Sequence, residues 1–511
     1  MTNSKDRAGV HSGGNGNANL REHPRRRIVP VSLTPQFRMR PLRFALALSA
    51  FALLPLGAQL RPLDPHQKLA REIYKELVEI NTVDSVGSVT RAAQAMARRF
   101  RAAGFPARDI HLIIPPGKPT KGNLVVRYRG RGQGKPILLL AHLDVVAALR
   151  SDWTIDPFVL TEKDGYFYGR GSGDDKAMAS IFVANMLRDR KEGWVPDRDV
   201  ILALTADEEG GDTNGVEWLL AHNRDLIDAA YAINEGGGGS LRNGTPVLNS
   251  VQAAEKVPVN FTLSSSNRGG HSSVPRPDNA IYQLVDGLSK LARYSFPVQL
   301  NEVSRTFFER SAALESPEVG AAMRAIVARQ SDTGAAAILS RDARYNSMLR
   351  TSCVATRLAG GHAYNALPQT ASANVNCRIV PTQTPEEVRA TIARVIGDTG
   401  IHIASTVPIR EKSGAPPSPL IAELMDPVTS ITHDMFGASI PVIPVMSTGA
   451  TDGRFLRAAG IPTYGVSGLF GDPSDSRAHG RDERMLVKSY FDGQEFLHRL
   501  VRQLTAAKLT P

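Results

Sequence analysis

The sequence predicts an α/β protein, a sheet covered by helices on both faces, interrupted by an inserted ferredoxin-like α+β domain. Three observations predict it. Short apolar strand-like runs alternate with helical periodicities from Asp64 to Asn234, and the same texture returns after Pro416; this is the pattern of a sheet buried on both sides. Between Glu255 and Ser405 the order changes to strand–helix–strand–strand–helix–strand, that of a ferredoxin-like unit. Acidic residues and histidines gather where the core strands end, the edge at which open α/β sheets place ligand sites. At 511 residues the chain exceeds a single core.

The elements follow in order. Asp64-Pro65 gives an N-cap and a Pro at the first helical position. Leu69, Ile73, Leu77 and Ile80 then recur at helical spacing. A second helix over 89–103 stops at Gly104, a residue suited to the left-handed C′ position. Strands are expected at 110–114, 124–128 and 137–141, a helix at 175–190, a buried strand at 200–205, a helix at 216–222 and a strand at 231–234. In the insert, strand 257–263 precedes a Gly/His/Ser loop at 268–273 and a helix at 279–292. Residues 300–350 read as mostly helical, and 353–358 with 373–380 as a strand pair. Thr384-Pro385-Glu386-Glu387 is a capping box that opens a helix to 396, before a strand at 401–405. A helix at 420–435, a strand at 442–445 and a long final helix to 504 complete the chain. The expected division is a leader at 1–58, a catalytic domain from 59–254 and 411–511, and an insert at 255–410.

The formal charge of +11 is unevenly placed. Residues 1–58 hold nine Lys and Arg against Asp6 and Glu22, leaving 52 basic and 48 acidic residues in the body. That body has no basic block, so no nucleic-acid partner is expected. Residues 1–38 are polar and Gly/Asn/Arg-rich, a composition that favours disorder. Met39-Arg40-Pro41-Leu42-Arg43 leads into the apolar run 44–56 and then Gly57-Ala58-Gln59, the layout of a secretory signal. The run is short for a membrane span. We expect Met39 to be the start, residues 1–38 to be an over-extended frame, and the product to be exported, periplasmic or secreted. Leu56 suits a cut after Ala58 poorly, so an uncleaved anchor stays open as the one route to a membrane. The only cysteines are Cys353 and Cys377; two unpaired buried thiols are favoured over one disulfide across a hairpin.

Five clusters carry the chemistry. Ala141-His142-Leu143-Asp144 closes the apolar run 137–140. Residues i and i+2 of a strand point to one side, so an imidazole and a carboxylate stand together there. Alone, such a pair reads more readily as a structural hydrogen bond than as half of a metal site. Gly173-Asp174-Asp175-Lys176 leads into a helix, where the two acids alone would read as caps. Thr205-Ala206-Asp207-Glu208-Glu209-Gly210 ends the strongest core strand. Its three carboxylates repel one another unless cations neutralise them, a solvated acidic turn being the plainer alternative. Asn234-Glu235-Gly236 ends another strand, and Ala478-His479-Gly480 presents a late histidine before a helix. Two histidines, one bridging carboxylate and two terminal ones give each of two ions a His and a carboxylate. Such donors suit zinc. Two ions about 3.5–4 Å apart polarise a carbonyl and activate a shared water. One carboxylate outside the ligand set must carry the proton, and the Glu208-Glu209 pair can divide these jobs.

With these motifs in order over residues 65–505, the sequence resembles the co-catalytic zinc metallopeptidase family of aminoacylase, glutamate carboxypeptidase and succinyl-diaminopimelate desuccinylase. The resemblance implies a zinc-peptidase-like catalytic domain, a mixed sheet flanked by helices, with a lid domain inserted. It implies two Zn2+, with Co2+ as a substitute, held by His142, Asp174 as the bridge, Glu209, Glu235 and His479. It makes Glu208 the general base, sets Asp144 behind His142 as the group that orients it, and implies a cis peptide at Asp174–Asp175. Gly269-Gly270-His271-Ser272-Ser273-Val274-Pro275 resembles the family's His loop, which makes His271 an oxyanion donor, supplied in dimeric members by the partner subunit. The segments around His362-Ala363-Tyr364-Asn365 and Cys377-Arg378-Ile379 resemble those whose Asn and Arg bind a substrate carboxylate, here Asn365 and Arg378. Ser447-Thr448-Gly449-Ala450-Thr451-Asp452-Gly453-Arg454 resembles the Gly-rich substrate loop and adds Gly449 and Arg454, although Arg454 can equally pair with Asp452. Glu at position 235, rather than Asp, is the form found in carboxypeptidases and aminoacylases. The long insertion at 300–350, with Thr451-Asp452 and Phe455, resembles the carboxypeptidase S branch, which includes enzymes acting on N-fatty-acyl amino acids. Two departures stand out: Ala147-Ala148 replaces a frequent Pro, and the long insert argues against ordinary lid-to-lid dimerisation, leaving a homodimer open.

The expected activity is cleavage of the amide bond of a C-terminal amino acid in a peptide by metal-activated water. The alternative is an aminoacylase or deacylase acting on N-acyl amino acids or other small N-acyl metabolites. The intact base and ligand set disfavours an inert binding protein. The absence of Gly-x-Ser-x-Gly and of His-Glu-x-x-His disfavours a serine or cysteine hydrolase and a single-zinc protease.

Overall fold

The computed structural model describes residues 62–405 and 415–506. The leader 1–58 and the expected boundary at 410/411 lie outside them. A mixed ten-stranded sheet forms the larger layer. Its centre is parallel: Ile137–His142 lies between Val200–Thr205 and Tyr231–Asn234. Asn123–Tyr128 and Ile110–Ile113 continue antiparallel on one side. On the other side come Thr463–Gly465, Thr245–Glu255, Gly239–Arg242 and Phe470–Gly471, with Val442–Ser447 also paired to Thr245–Glu255. Ile137–His142 and Val200–Thr205 are buried at every position, as a strand covered on both faces must be. Leu139 and Ala141 share a core with Ile73, Leu77, Met96 and Ile181 of the helices Pro65–Glu79, Val89–Ala102 and Lys176–Lys191. Leu138 and Leu140 face the opposite way, toward Val216, Leu219 and Leu456 of Gly215–His222 and Gly453–Ala458.

The second sheet has four antiparallel strands in the order Ser352–Gly360, Thr370–Ile379, Val257–Ser266, Ile401–Ser405. Ala280–Arg293 and Pro385–Ile396 supply Leu284, Leu291, Val388 and Ile392 to its core, which completes the ferredoxin-like unit. Thr384 and Glu387 form the expected capping box. Residues 300–350 hold four helices, Glu302–Ser311, Pro317–Ala328, Thr333–Leu339 and Ala343–Leu349, around Phe308, Met323, Ile326 and Leu349. Among the described residues, no helix is long and apolar enough to cross a membrane.

The structure corrects the cysteine expectation. Cys353 and Cys377 form a disulfide. They stand directly opposite each other on neighbouring antiparallel strands, a position that brings their Cβ atoms close. It also adds two hairpins the sequence reading passed over. Gly239–Arg242 and Thr245–Glu255 are joined by Asn243-Gly244, both at positive φ. Thr161–Lys163 and Tyr166–Tyr168 are joined by Asp164-Gly165, again both at positive φ. Asn-Gly and Asp-Gly are the residue pairs that a two-residue hairpin turn demands.

Candidate active site

The site lies where the parallel strands end. His142, the last residue of its strand, is 2% exposed. Its Nε2 is 2.9 Å from Asp174 Oδ1 and 3.8 Å from Glu235 Oε1. On the other flank of Asp174, His479 Nε2 lies 3.3 Å from Asp174 Oδ2 and 2.8 Å from Glu209 Oε2. Two groups of potential ligands result, His142–Asp174–Glu235 and Asp174–Glu209–His479, each with its donor atoms within 4.8 Å of one another. They share Asp174. Glu208 belongs to neither. A third convergence, Asp189, Glu192 and His498, is already served by Arg502, which pairs with both carboxylates.

Buried supports fix the segments that carry most of the donors. His142 Nδ1 meets the main-chain oxygen of Asp144 at 3.0 Å, while the Asp144 carboxylate stands 3.6 Å from that nitrogen. The carboxylate instead accepts from the backbone N–H of Glu208 and of Glu209, at 3.2 and 2.9 Å. Asp144 thus ties the histidine strand to the glutamate turn. Asp207, at positive φ, is held by Lys121 and by the Thr213 N–H, and Lys121 also pairs with Asp84. The Asp174–Asp175 peptide is cis. Glu483 accepts from the N–H of Gly171, Gly173 and Asp174 at 3.0, 2.6 and 3.1 Å and from Arg170 at 2.6 Å. It thereby joins the loop carrying Asp174 to the loop carrying His479.

Charge is the main cost of this arrangement. Burial, then the repulsion of Asp452, Glu209 and Asp144, raises Glu208 to about 8 against the pull of His142. Burial and Asp174 raise Glu209 to about 7. Glu235 is pushed well above the carboxylate range, by burial first. Burial also works to raise Asp174, but hydrogen bonds from His142 and His479 hold it well below that range. The bond to Asp174 lifts His479 to about 9 against burial. Buried acids that repel one another are relieved by cations. Imidazole and carboxylate donors in each group suit zinc-like ions, so the donor set fits a pair of divalent metals.

The expected substrate residues sit apart. His271 is exposed on the short strand Gly270–His271, which pairs with Ala366–Leu367. Its Nδ1 bonds Ser273 Oγ at 2.7 Å, and the Ser272 N–H donates to the oxygen of Asn365 at 2.9 Å. The structure therefore brings His271 and Asn365 together, without a hydrogen bond from either to the carboxylate and imidazole cluster. The side chain of Arg378, on Thr370–Ile379, makes no ion pair or hydrogen bond among the described residues; burial and nearby Arg454 lower its pKa. Arg454 stacks over Phe455 at 4.5 Å. Asp452 accepts instead from Thr205 Oγ1 and Asn214 Nδ2, at 3.2 and 2.6 Å, and Arg454 has no ion pair among the described residues. The Gly449 N–H donates to Ser447 Oγ at 3.1 Å.

Sequence reasoning missed Glu483, the Lys121–Asp207 pair and Asp452 as supports. It missed also the buried pair Glu255–Arg457, whose Glu255 carboxylate receives both the N–H and the hydroxyl of Thr451 at 2.9 Å. A buried acid with no motif of its own leaves only a weak signal: Glu483 follows His479 by four residues, and Asp452 lies inside the Gly-rich loop.

The chain is similar to several known proteins. The human N-fatty-acyl-amino acid synthase/hydrolase PM20D1 is 27% identical over 72% of this chain and 74% of its own. A probable carboxypeptidase S-like 2 of Dictyostelium discoideum is 29% identical over 79% and 78%. Mouse aminoacylase-1 is 24% identical over 86% and 96%. The fold is shared with an M20 family metallo-carboxypeptidase of Sulfolobus solfataricus, at TM-score 0.64 and 18% identity over 87% of this chain and all of that one. Residues 138–503 match the model of peptidase family M20/M25/M40, and the chain belongs to that family.

Proposed function

We propose that the protein is a di-zinc hydrolase that cleaves the amide bond of a C-terminal amino acid, in a peptide or an N-acyl amino acid. The observation that carries this is the pair of donor groups sharing Asp174, with the unliganded Glu208 beside them. His142, Glu235, Glu209 and His479 would complete the two sites, and Asp174 would bridge them. Bound there, two divalent cations supply Lewis acidity and lower the pKa of water. Glu208 takes the proton of the attacking water and delivers it to the leaving nitrogen. Arg378, with Arg454 near it and no ion pair among the described residues, receives the free carboxylate of the leaving amino acid; Asn365 and the Gly449 loop are assigned to the same substrate. His271 reaches the reacting carbonyl once the insert closes or a second copy supplies it. The substrate range draws support from the relatives, named as a carboxypeptidase S-like protein, an aminoacylase and an N-fatty-acyl-amino acid synthase/hydrolase.

Export belongs to the same proposal. The signal-like run 44–56 and the Cys353–Cys377 disulfide both suit an oxidising compartment. A mature N-terminus upstream of Met39, read by mass spectrometry, contradicts the start placed there. For the chemistry, Glu208→Gln is expected to lower turnover roughly 10²–10⁴-fold while elemental analysis finds the wild-type metal content. Undiminished turnover refutes the base.

A further inference from the structure

A cavity of about 440 Å³ opens beside the donor cluster, with Asp174, Glu235 and the supporting Glu483 among its lining residues. That size lies within the roughly 300–1,000 Å³ of pockets that hold drug-sized ligands. Its walls come from the Gly236 to Gly239 run and from the loop that leads to His479 and on to Leu486. Tyr166, Met178, Leu469, Phe470, Met485 and Leu486 give it an apolar surface. The two arginines at its rim are already paired, Asp472 accepts from Ser474, and Asp175 is buried. Arg477 and Arg484 both bond Asp475, and Arg484 lies 3.9 Å over the Tyr166 ring. No residue of the insert lines it, whereas His271, Asn365 and Arg378 all belong to the insert. The two halves of a substrate amide are therefore met by different walls: the carboxylate-bearing half by the insert, the acyl half by this cavity.

We infer that the cavity receives the acyl half of the substrate and that this half is an apolar group much longer than acetyl. This rests on the proposed amide hydrolysis. An acetyl group, about the size of two waters at ~30 Å³ each, leaves most of the space unfilled. A long acyl chain or the apolar penultimate residue of a peptide fills it with the same chemistry.

The test uses the metal-loaded protein with N-acetyl-leucine, N-dodecanoyl-leucine and N-acetyl-leucyl-leucine. At least one of the two longer substrates is expected to exceed N-acetyl-leucine roughly tenfold or more in kcat/KM. Preference for the dodecanoyl compound identifies an acyl chain as the occupant, and preference for the peptide identifies a side chain. Ser240→Phe and Leu486→Trp, on two separate strands that line the cavity, are each expected to reduce that ratio roughly tenfold, mainly through KM. Thermal unfolding checks that each variant folds, and either one suffices. Equal turnover of short and long substrates, or a ratio unmoved in a folded variant, overturns the inference alone. No turnover of any of the three overturns the proposed function and this inference with it.

Discussion

The carboxylate of Asp144 holds two backbone amides of the glutamate turn, not the histidine ring two residues before it. The ring is held by the main-chain oxygen of Asp144. One residue so fixes both the first ligand and the proposed base, in a way that no spacing rule conveys. Arg378 is the clearest residue to test, because its side chain lies near a second arginine and has no ion pair among the described residues. Arg378→Ala is expected to raise KM roughly ten- to a hundredfold, the worth of a hydrogen bond to a charged group, for substrates with a free α-carboxylate. Carboxamide-capped analogues should show no such rise. Equal effects on both refute the carboxylate role. At this scale the convergent groups were legible in the sequence, since His142, Asp174, Glu209 and Glu235, and Glu208 beside them, all follow strand-like runs. Glu483 was not, because its task depends on a loop 312 residues earlier folding against it.

Among the elements, the junction of the two sheets turns on Lys256, which is fully buried between Thr245–Glu255 and Val257–Ser266. Its ammonium donates to the oxygens of Ser347 and Arg350, both at 2.9 Å, and to Ser352 Oγ at 3.1 Å, which ties the helical insertion to the junction. Burial, with Arg378 adding to it, lowers Lys256 to about 7. Above that pH the unfolded chain, with its lysine near ~10.4, binds more protons than the folded one. Stability owed to this residue therefore rises with pH from about 7 to ~10. The thermal midpoint of the wild type should gain on that of Lys256→Met between about pH 7 and ~9; a constant or shrinking gap contradicts this. The disulfide ties Ser352–Gly360 to Thr370–Ile379 and closes a separation of 24 residues. Replacing both cysteines by Ser is expected to cost ~2–4 kcal/mol in urea unfolding, and an unchanged midpoint speaks against the bond in solution. The sequence hid this pairing because two cysteines alone do not reveal their register. It did carry the two missed hairpins, in Asn243-Gly244 and Asp164-Gly165, which were passed over in favour of longer apolar runs.

At the scale of the whole molecule, the centre of the larger sheet is parallel, so several strands deliver their carboxyl ends to one edge. That topology gathers donors from remote parts of the chain: Glu209 and His479 are 270 residues apart in sequence. The alternation of strands and helices made this architecture readable, and so did the change of texture at Glu255. The position of His271 away from the cluster was not readable, because a loop's reach depends on the packing of the unit that carries it. The central claim is that two metals at this edge drive amide hydrolysis. Its most direct measurement is the metal content of the purified protein together with turnover of C-terminal dipeptides and N-acyl amino acids, before and after chelation. Two divalent ions per chain, loss of activity on their removal, and recovery with zinc or cobalt are expected. Full turnover by metal-free protein would contradict it.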